Sequence, residues 1–185
     1  MNDKQRCFGT GDPLMEVYHD QEWGVPEHDD RALFEKLILD GFQAGLSWQI
    51  ILHKRQAVRE AFDGFVPEVI ARYGEKERAL LLADEGIVRN RQKIDATISN
   101  ARAYLDLRAK MGSFDEFLWQ FSGHQTLKAA PRGDWSTLPT RSPESEAMAR
   151  ALKAQGFKFV GPTICYAFMQ AIGMVDDHLE YCFRA

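Results

Sequence analysis

Four residues of the kind that bind zinc lie near the two ends of the chain: Cys7 and His19 close to the start, His178 and Cys182 close to the finish. Tetrahedral zinc takes thiolate and imidazole ligands, so one Cys2His2 set drawn from both ends would clasp the termini together. His178 and Cys182, spaced i, i+4, are expected on one face of a helical turn. The Cys7–His19 spacing is looser than in ordinary zinc fingers, and spacing alone leaves open four unrelated residues, thiols in the core and histidines on the surface. A second chemical feature is the run Gly156-Phe157-Lys158-Phe159-Val160-Gly161-Pro162. Its glycines let a turn approach a phosphate closely with backbone N–H groups free, and Pro162 opens a helix whose positive dipole end favours an anion. Lys158 adds a cation. Such a hairpin can grip a DNA backbone phosphate without reading sequence. The competing reading is a plain tight hairpin with Phe157 and Phe159 in the core.

Helical punctuation sets the elements that must carry these residues. Asp12-Pro13 caps and opens a helix to about Asp20, and Asp29 or Asp30 caps the next, Arg31 to Ala44, closed by Gly45. Ser47 caps a helix bearing Trp48, Ile51 and Leu52, and Val66-Pro67 starts one containing Val69, Ile70 and Tyr73. Glu75 to Ala83 follows. A long amphipathic stretch from about Asn90 to Met111 places Ile94, Ile98, Ala101 and Leu105 on one stripe. Next come Phe114 to Phe121, a long Gly/Pro/Ser/Thr-rich loop over 123–142, a helix from Pro143 or Glu144 to Gln155, and one from Thr163 to about Met174 after the hairpin. Strand alternation is scarce, and the expected class is all-α in one domain spanning 1–185, its helix-hairpin-helix element at about 143–175.

A length of 185 residues, 45% of them hydrophobic, suits such a domain with a sizeable core. No apolar run approaches the roughly 20 residues that span a bilayer, and the N-terminus lacks an apolar signal region, so a cytoplasmic protein without membrane association is expected. Three cysteines argue against a disulfide framework, and Cys165 reads as a small core residue. A net charge of −4 gives no global attraction to nucleic acid, which leaves local basic patches to provide any such contact.

Six blocks stand in order along the chain: Tyr18-His19-Asp20, Glu22-Trp23-Gly24-Val25-Pro26, Gln43-Ala44-Gly45-Leu46-Ser47-Trp48, Gly86-Ile87-Val88-Arg89, Asn100-Ala101-Arg102-Ala103-Tyr104-Leu105 and Gly156-Phe157-Lys158-Phe159-Val160-Gly161. Together, and from Cys7 to Cys182, the chain resembles the 3-methyladenine DNA glycosylase I family of helix-hairpin-helix glycosylases. That resemblance implies a structural zinc on Cys7, His19, His178 and Cys182, closed by four protein ligands and so without a place for a water nucleophile. It also implies base flipping from double-stranded DNA, cleavage of the N-glycosidic bond to an alkylated adenine, and release of free 3-methyladenine by a monomer. A cationic base needs aromatic faces and a carboxylate. Trp48 is expected to stack on it, Tyr18 to line the pocket, and Trp23, Gln43 and Leu46 to contribute. Core packing remains the alternative for each aromatic, and for Trp23 a structural turn. Lys158, Gly161, Arg89 and Arg91 are the expected phosphate contacts, with Asn90, Lys93 and Lys153 nearby.

Three positions depart from the family pattern. Leu39-Asp40-Gly41 carries Asp where the family has Glu: the charge is kept, but the reach shortens by on the order of 1 Å, a displacement that can cost about 100-fold in rate. Met15 replaces a tyrosine of the first helix. Asp176, in Val175-Asp176-Asp177-His178, stands where the wider superfamily keeps a catalytic aspartate; it is either catalytic or the partner that orients His178. No lysine adjoins it, so no lyase step is expected. Asp40 and Met15 also keep open an altered-specificity or non-catalytic binder of damaged DNA or bases. A third alternative is an unrelated zinc-stabilised helical interaction domain.

Overall fold

In the computed structural model, which describes residues 4–128 and 132–185, helix follows helix: α1 (Pro13–Gln21), α2 (Asp30–Gln43), α3 (Trp48–Ala61), α4 (Pro67–Ile70), α5 (Glu75–Ala83), α6 (Arg91–Met111), α7 (Phe114–Trp119), α8 (Pro143–Ala154) and α9 (Pro162–Ala171). The starts are set by local chemistry. Asp12, Asp29, Ser47, Asn90, Ser113 and Ser142 each accept a backbone N–H from the first turn of the helix they precede. Asp29, not Asp30, caps α2; Asp30 instead accepts from the Ser113 hydroxyl and the Asp115 N–H.

The expected elements differ from the structure in four places. The stripe of α6 turns further inward than predicted: Tyr104 and Leu107 are buried and Leu105 only half-buried. The helix opened by Pro67 stops at Ile70, and Tyr73 beyond it donates its hydroxyl to Asp63. The stretch 123–142 contains a two-residue strand, β1 (Leu127–Lys128), parallel to β2 (Val175–Asp176), and a 3-10 turn at Trp135–Thr137 capped by Asp134; residues 129–131 of that stretch lie outside the described ones. Strands of two residues are too short to show a period. Finally, α9 ends before Gly173, whose φ of +70° brings it against the backbone of Val25 and Pro26, where a Cβ would approach to 2.4 Å. His178 and Cys182 are consequently not on a helix. They follow β2 in a series of turns, with the Cys182 N–H donated to Leu179 O.

The centre of the core is α2. Leu33, Phe34, Leu37, Ile38, Leu39, Gly41 and Phe42 are all buried, so this helix is apolar around most of its circumference and packs against α3, α6, α7 and α9. Gly41 admits Phe159 of the α8–α9 hairpin to 3.3 Å from where its own Cβ would be. The C-terminus of α2 is held by Lys93 of α6, whose buried ammonium donates to the carbonyls of Phe42 (2.8 Å) and Ala44 (2.7 Å). Lys93 is therefore spent inside the protein and faces no phosphate. No helix among the described residues is long and apolar enough to cross a membrane.

The hairpin itself is anchored from α6. Asn100 Nδ2 donates to Lys158 O (3.0 Å), and its Oδ1 accepts the Lys158 N–H (2.7 Å). Asn100→Ala leaves both backbone groups without these partners, and we expect it to destabilise the chain by about 1–3 kcal/mol, read as a lower urea midpoint with unchanged m-value. An unchanged midpoint would show that water replaces the side chain at no cost.

Candidate active site

Four helices and five aromatic rings line a cavity of about 270 Å³. Helix α1 contributes Met15 and Tyr18, α2 contributes Lys36, Asp40 and Gln43, α3 contributes Trp48, and α9 contributes Ala167 and Gln170; Phe8, Trp23 and Trp135 complete the wall. The rings touch in sequence: Tyr18 to Trp48 at 5.1 Å between centroids, Phe8 to Trp23 at 5.2 Å, and Phe8 to Trp135 at 5.6 Å. Such faces suit a flat, electron-poor or cationic ring.

Asp40 brings negative charge to this apolar wall. It is 3% exposed; Oδ1 accepts from the Lys36 ammonium at 2.5 Å, and Oδ2 has no partner. Burial pushes the Asp40 carboxyl up and the Lys36 ammonium down, and each opposes the shift of the other. Lys36 Nζ also sits 3.8 Å from the centroid of the Trp48 ring. The Trp48 indole N–H is a second buried polar atom without a partner. Burial, with Asp40 adding to it, holds the Tyr18 hydroxyl well above its usual range, so it remains a protonated phenol.

Residue by residue, the expected base contacts Tyr18, Trp23, Gln43, Trp48 and Asp40 all line the cavity, and so does Met15. Leu46 does not. The positive φ of Gly45 turns the chain outward, and Leu46 edges an adjoining depression with Thr163 and Ile164 that shares Asp40 and Gln43 with the cavity. Asp176 does not line the cavity either; its Oδ1 accepts from the backbone N–H of His178 (3.2 Å) and bonds its Nδ1 (2.8 Å). Its neighbour Asp177 is the aspartate linked to the wall: it accepts from the Tyr166 hydroxyl at 2.6 Å and from Gln170 Nε2 at 2.8 Å. Lys36, Phe8 and Trp135 escaped the sequence reading. The i, i+4 spacing of Lys36 and Asp40 is a legible acid–base pair; nothing in the sequence points to Phe8 or Trp135.

Beside the cavity, ligand atoms of Cys7, His19 and Cys182 lie within 4.8 Å of one another. His178 stands next to this group, its ring 5.5 Å from that of His19 and its Nε2 buried without a partner. Each histidine bonds a carboxylate through Nδ1, His19 to Asp20 (2.9 Å) and His178 to Asp176 (2.8 Å), which turns Nε2 away from the carboxylate; His19 Nε2 accepts the Cys7 N–H (3.3 Å) and lies 3.4 Å from Cys182 Sγ, while His178 Nε2 has no partner. Two thiols, one imidazole and an adjacent orphaned imidazole nitrogen form a donor set suited to zinc. Gly24 permits the arrangement, since a Cβ there would lie 2.5 Å from His178 Cε1. The two sites share a wall: Phe8 follows Cys7, and Trp23 lies edge-on to His178 at 4.6 Å.

Of the expected phosphate contacts, Lys158, Arg89 and Arg91 are exposed, as is Lys153, and Gly161 precedes α9 with open space where a Cβ would be. Arg89 lies 3.6 Å from Glu85, and Arg91 lies 3.8 Å from both Glu75 and Asp95.

Residues 8–185 match the methyladenine glycosylase family model. DNA-3-methyladenine glycosylase 1 of Escherichia coli strain K12 is 47% identical over 179 residues, 96% of this chain and 95% of that protein. A crystal structure of a 3-methyladenine DNA glycosylase I superimposes with a TM-score of 0.94 at 49% identity, covering 97% of this chain and 98% of the other. A second crystal structure, of a tyrosine-to-phenylalanine variant of such an enzyme in complex with 3-methyladenine, superimposes at 0.91 with 36% identity, covering 95% and 94%. Cavity, helical fold and sequence thus agree, and the chain belongs to the methyladenine glycosylase family.

Proposed function

We propose that this protein is a monofunctional base-excision glycosylase that removes 3-methyladenine from alkylated double-stranded DNA. The observation that carries the proposal is a buried carboxylate, Asp40, with an unpartnered oxygen at the wall of an aromatic cavity. A base inside a duplex is out of reach and must be flipped, at a cost of a few kcal/mol that is least for damaged bases. Methylation at N3 makes the attached purine cationic. The faces of Trp48 and Tyr18 and the charge of Asp40 are complementary to that cation. As the glycosidic bond breaks, positive charge passes from base to sugar, and the same carboxylate stabilises it as it develops. Water supplies the hydroxyl at C1′, the base leaves neutral, and one proton is released.

The fold is of the helix-hairpin-helix glycosylase class, and Cys7, His19 and Cys182, with His178 as fourth ligand, would hold a structural zinc ion that, when bound, ties the N- and C-terminal segments together. Asp176 acts by orienting His178 and not on the sugar. Lys158, the open end of α9 at Gly161, and Arg89 and Arg91 provide the phosphate contacts, while Leu46 is suited to wedge beside the flipped nucleotide. The protein works as a monomer in the cytoplasm.

Chromatography of bases released from methylated DNA tests the activity: 3-methyladenine should appear with wild type. A second reading, a binder of damaged bases without excision, draws on the Lys36–Asp40 pair and on Met15; it requires affinity for the base with no release. Lys158→Glu should weaken DNA binding uniformly across sequences and flatten the salt dependence by roughly one unit of slope or more. A loss confined to one sequence would rule out a phosphate contact.

A further inference from the structure

The base cavity already contains a cation. Lys36 Nζ lies 3.8 Å from the Trp48 ring centroid, 5.9 Å from that of Tyr18 and 2.5 Å from Asp40 Oδ1. These are the contacts assigned above to the flipped base: an indole face, a phenol face and a carboxylate. An ammonium at that distance and an alkylated adenine cannot both cover the same face of the Trp48 ring, so a base can stack on that face only after Lys36 has left.

A destination adjoins. A second cavity of about 240 Å³ lies against the same side chain, with Tyr18 and Lys36 lining both. Its wall carries Glu22 and Glu35, paired with Arg55 and Arg59. A carboxylate has about four acceptor sites, so Glu22 can take an ammonium in addition to its two bonds from Arg55. Around Lys36, Asp40 and Glu22 attract and Arg55 repels. The lysine stem is flexible enough to move between the two cavities without a change in the backbone of α2.

We propose that Lys36 is a tethered competitor for the base site: its ammonium covers Trp48 and pairs with Asp40 in the empty enzyme, swings towards Glu22 when a base enters, and returns as the base departs. This rests on the base-site reading above and deepens it. A built-in competitor lowers the affinity of every occupant by the same factor, the fraction of molecules with the site open. A flipped nucleotide is also held through its phosphates, whereas a cleaved base has only the cavity. The same factor therefore matters most for the product, which has no phosphate contacts in reserve, and Lys36 favours its release. In the empty state it also spares Asp40 from standing unpaired in the core.

The test is a titration of free 3-methyladenine into the full chain, followed by tryptophan fluorescence, for wild type, Lys36→Met, Glu22→Gln and the double variant. Lys36→Met should bind about tenfold more tightly, the factor for an open state populated near 10%. Glu22→Gln should bind more weakly, and that loss should vanish in the Lys36→Met background. In the wild type, the Lys36 Hε signal, shifted upfield over the Trp48 ring, should move to its free position as ligand is added. A Lys36 signal that stays in place, or a Lys36→Met variant that binds no more tightly, overturns the competitor role and leaves the base site standing. No binding by folded wild type or variants overturns the base site, and the competitor role with it. Should Lys36→Met fail to fold, Lys36→Gln and the wild-type Lys36 signal decide by the same criteria.

Discussion

Asparagine at position 40 is expected to lower single-turnover release of 3-methyladenine by about 10²–10³-fold, the range for removal of one preorganised electrostatic contact at a reacting centre. Asn has the size and reach of Asp and removes only the charge. Asp40 is buried, its Oδ2 has no partner, and the wall around it is largely aromatic, so little water screens its effect on a cation in the cavity. The substitution also leaves the Lys36 ammonium without its carboxylate, and breaking a buried pair can cost about 3–5 kcal/mol of stability. The Lys36 side chain keeps 15% of its surface exposed, which limits that penalty. Circular dichroism should therefore accompany the rate. Asp40→Glu separates charge from reach: it keeps the carboxylate and should lose far less activity than Asn. A folded Asp40→Asn variant that excises within twofold of wild type removes Asp40 from the chemistry.

The second large effect concerns stability. Cys182→Ala, or exposure of the protein to a strong chelator, is expected to lower stability by about 5 kcal/mol, a fraction of the roughly 10–16 kcal/mol of binding energy available from structural zinc. At roughly 2–4 °C per kcal/mol for a chain of this size, the melting temperature should fall by on the order of 10–20 °C. The cause is topological. Cys7 and Cys182 approach a common point with His19 although 175 positions separate them in sequence, and the bidentate Arg6–Asp20 pair and the Phe8 ring contacts hold the same segment beside them. Loss of the clasp should also loosen the base cavity, because Phe8 is next to Cys7 and Trp23 packs on His178. Elemental analysis should find one zinc per chain in the wild type. Protein that contains no metal and melts at the same temperature with and without chelator would refute the assignment.

Most helices and several of their ends were legible in the chain itself. An N-cap works within three residues: Asp12, Ser47, Asn90 and Ser142 meet their partners whatever lies around them. The same holds for proline at the start of α1, α4, α8 and α9. The ordered blocks serve different ends: the first three bring Tyr18, Trp23, Gln43 and Trp48 to the cavity, whereas Asn100 of the fifth anchors the hairpin of the sixth. Where prediction departed from structure, a distant contact decided the outcome. Gly173 ends α9 because it meets Val25 and Pro26, and β1 exists because β2 lies beside it.

The sequence by itself determined the helical class, the family, and the residue types that the proposed base cavity and zinc clasp would use. Only the tertiary structure decided what each residue faces. Two lysines show this: a cation on a helix is usually solvated, yet Lys93 is sealed against the end of α2 and Lys36 lies over Trp48 beside Asp40. Likewise Asp176 serves His178 while its neighbour Asp177 reaches Gln170 at the cavity wall. The physical reason is range: caps and helical periodicity act over a few residues, whereas the surroundings of a buried charge come from segments tens to hundreds of residues away, which meet only when the core closes.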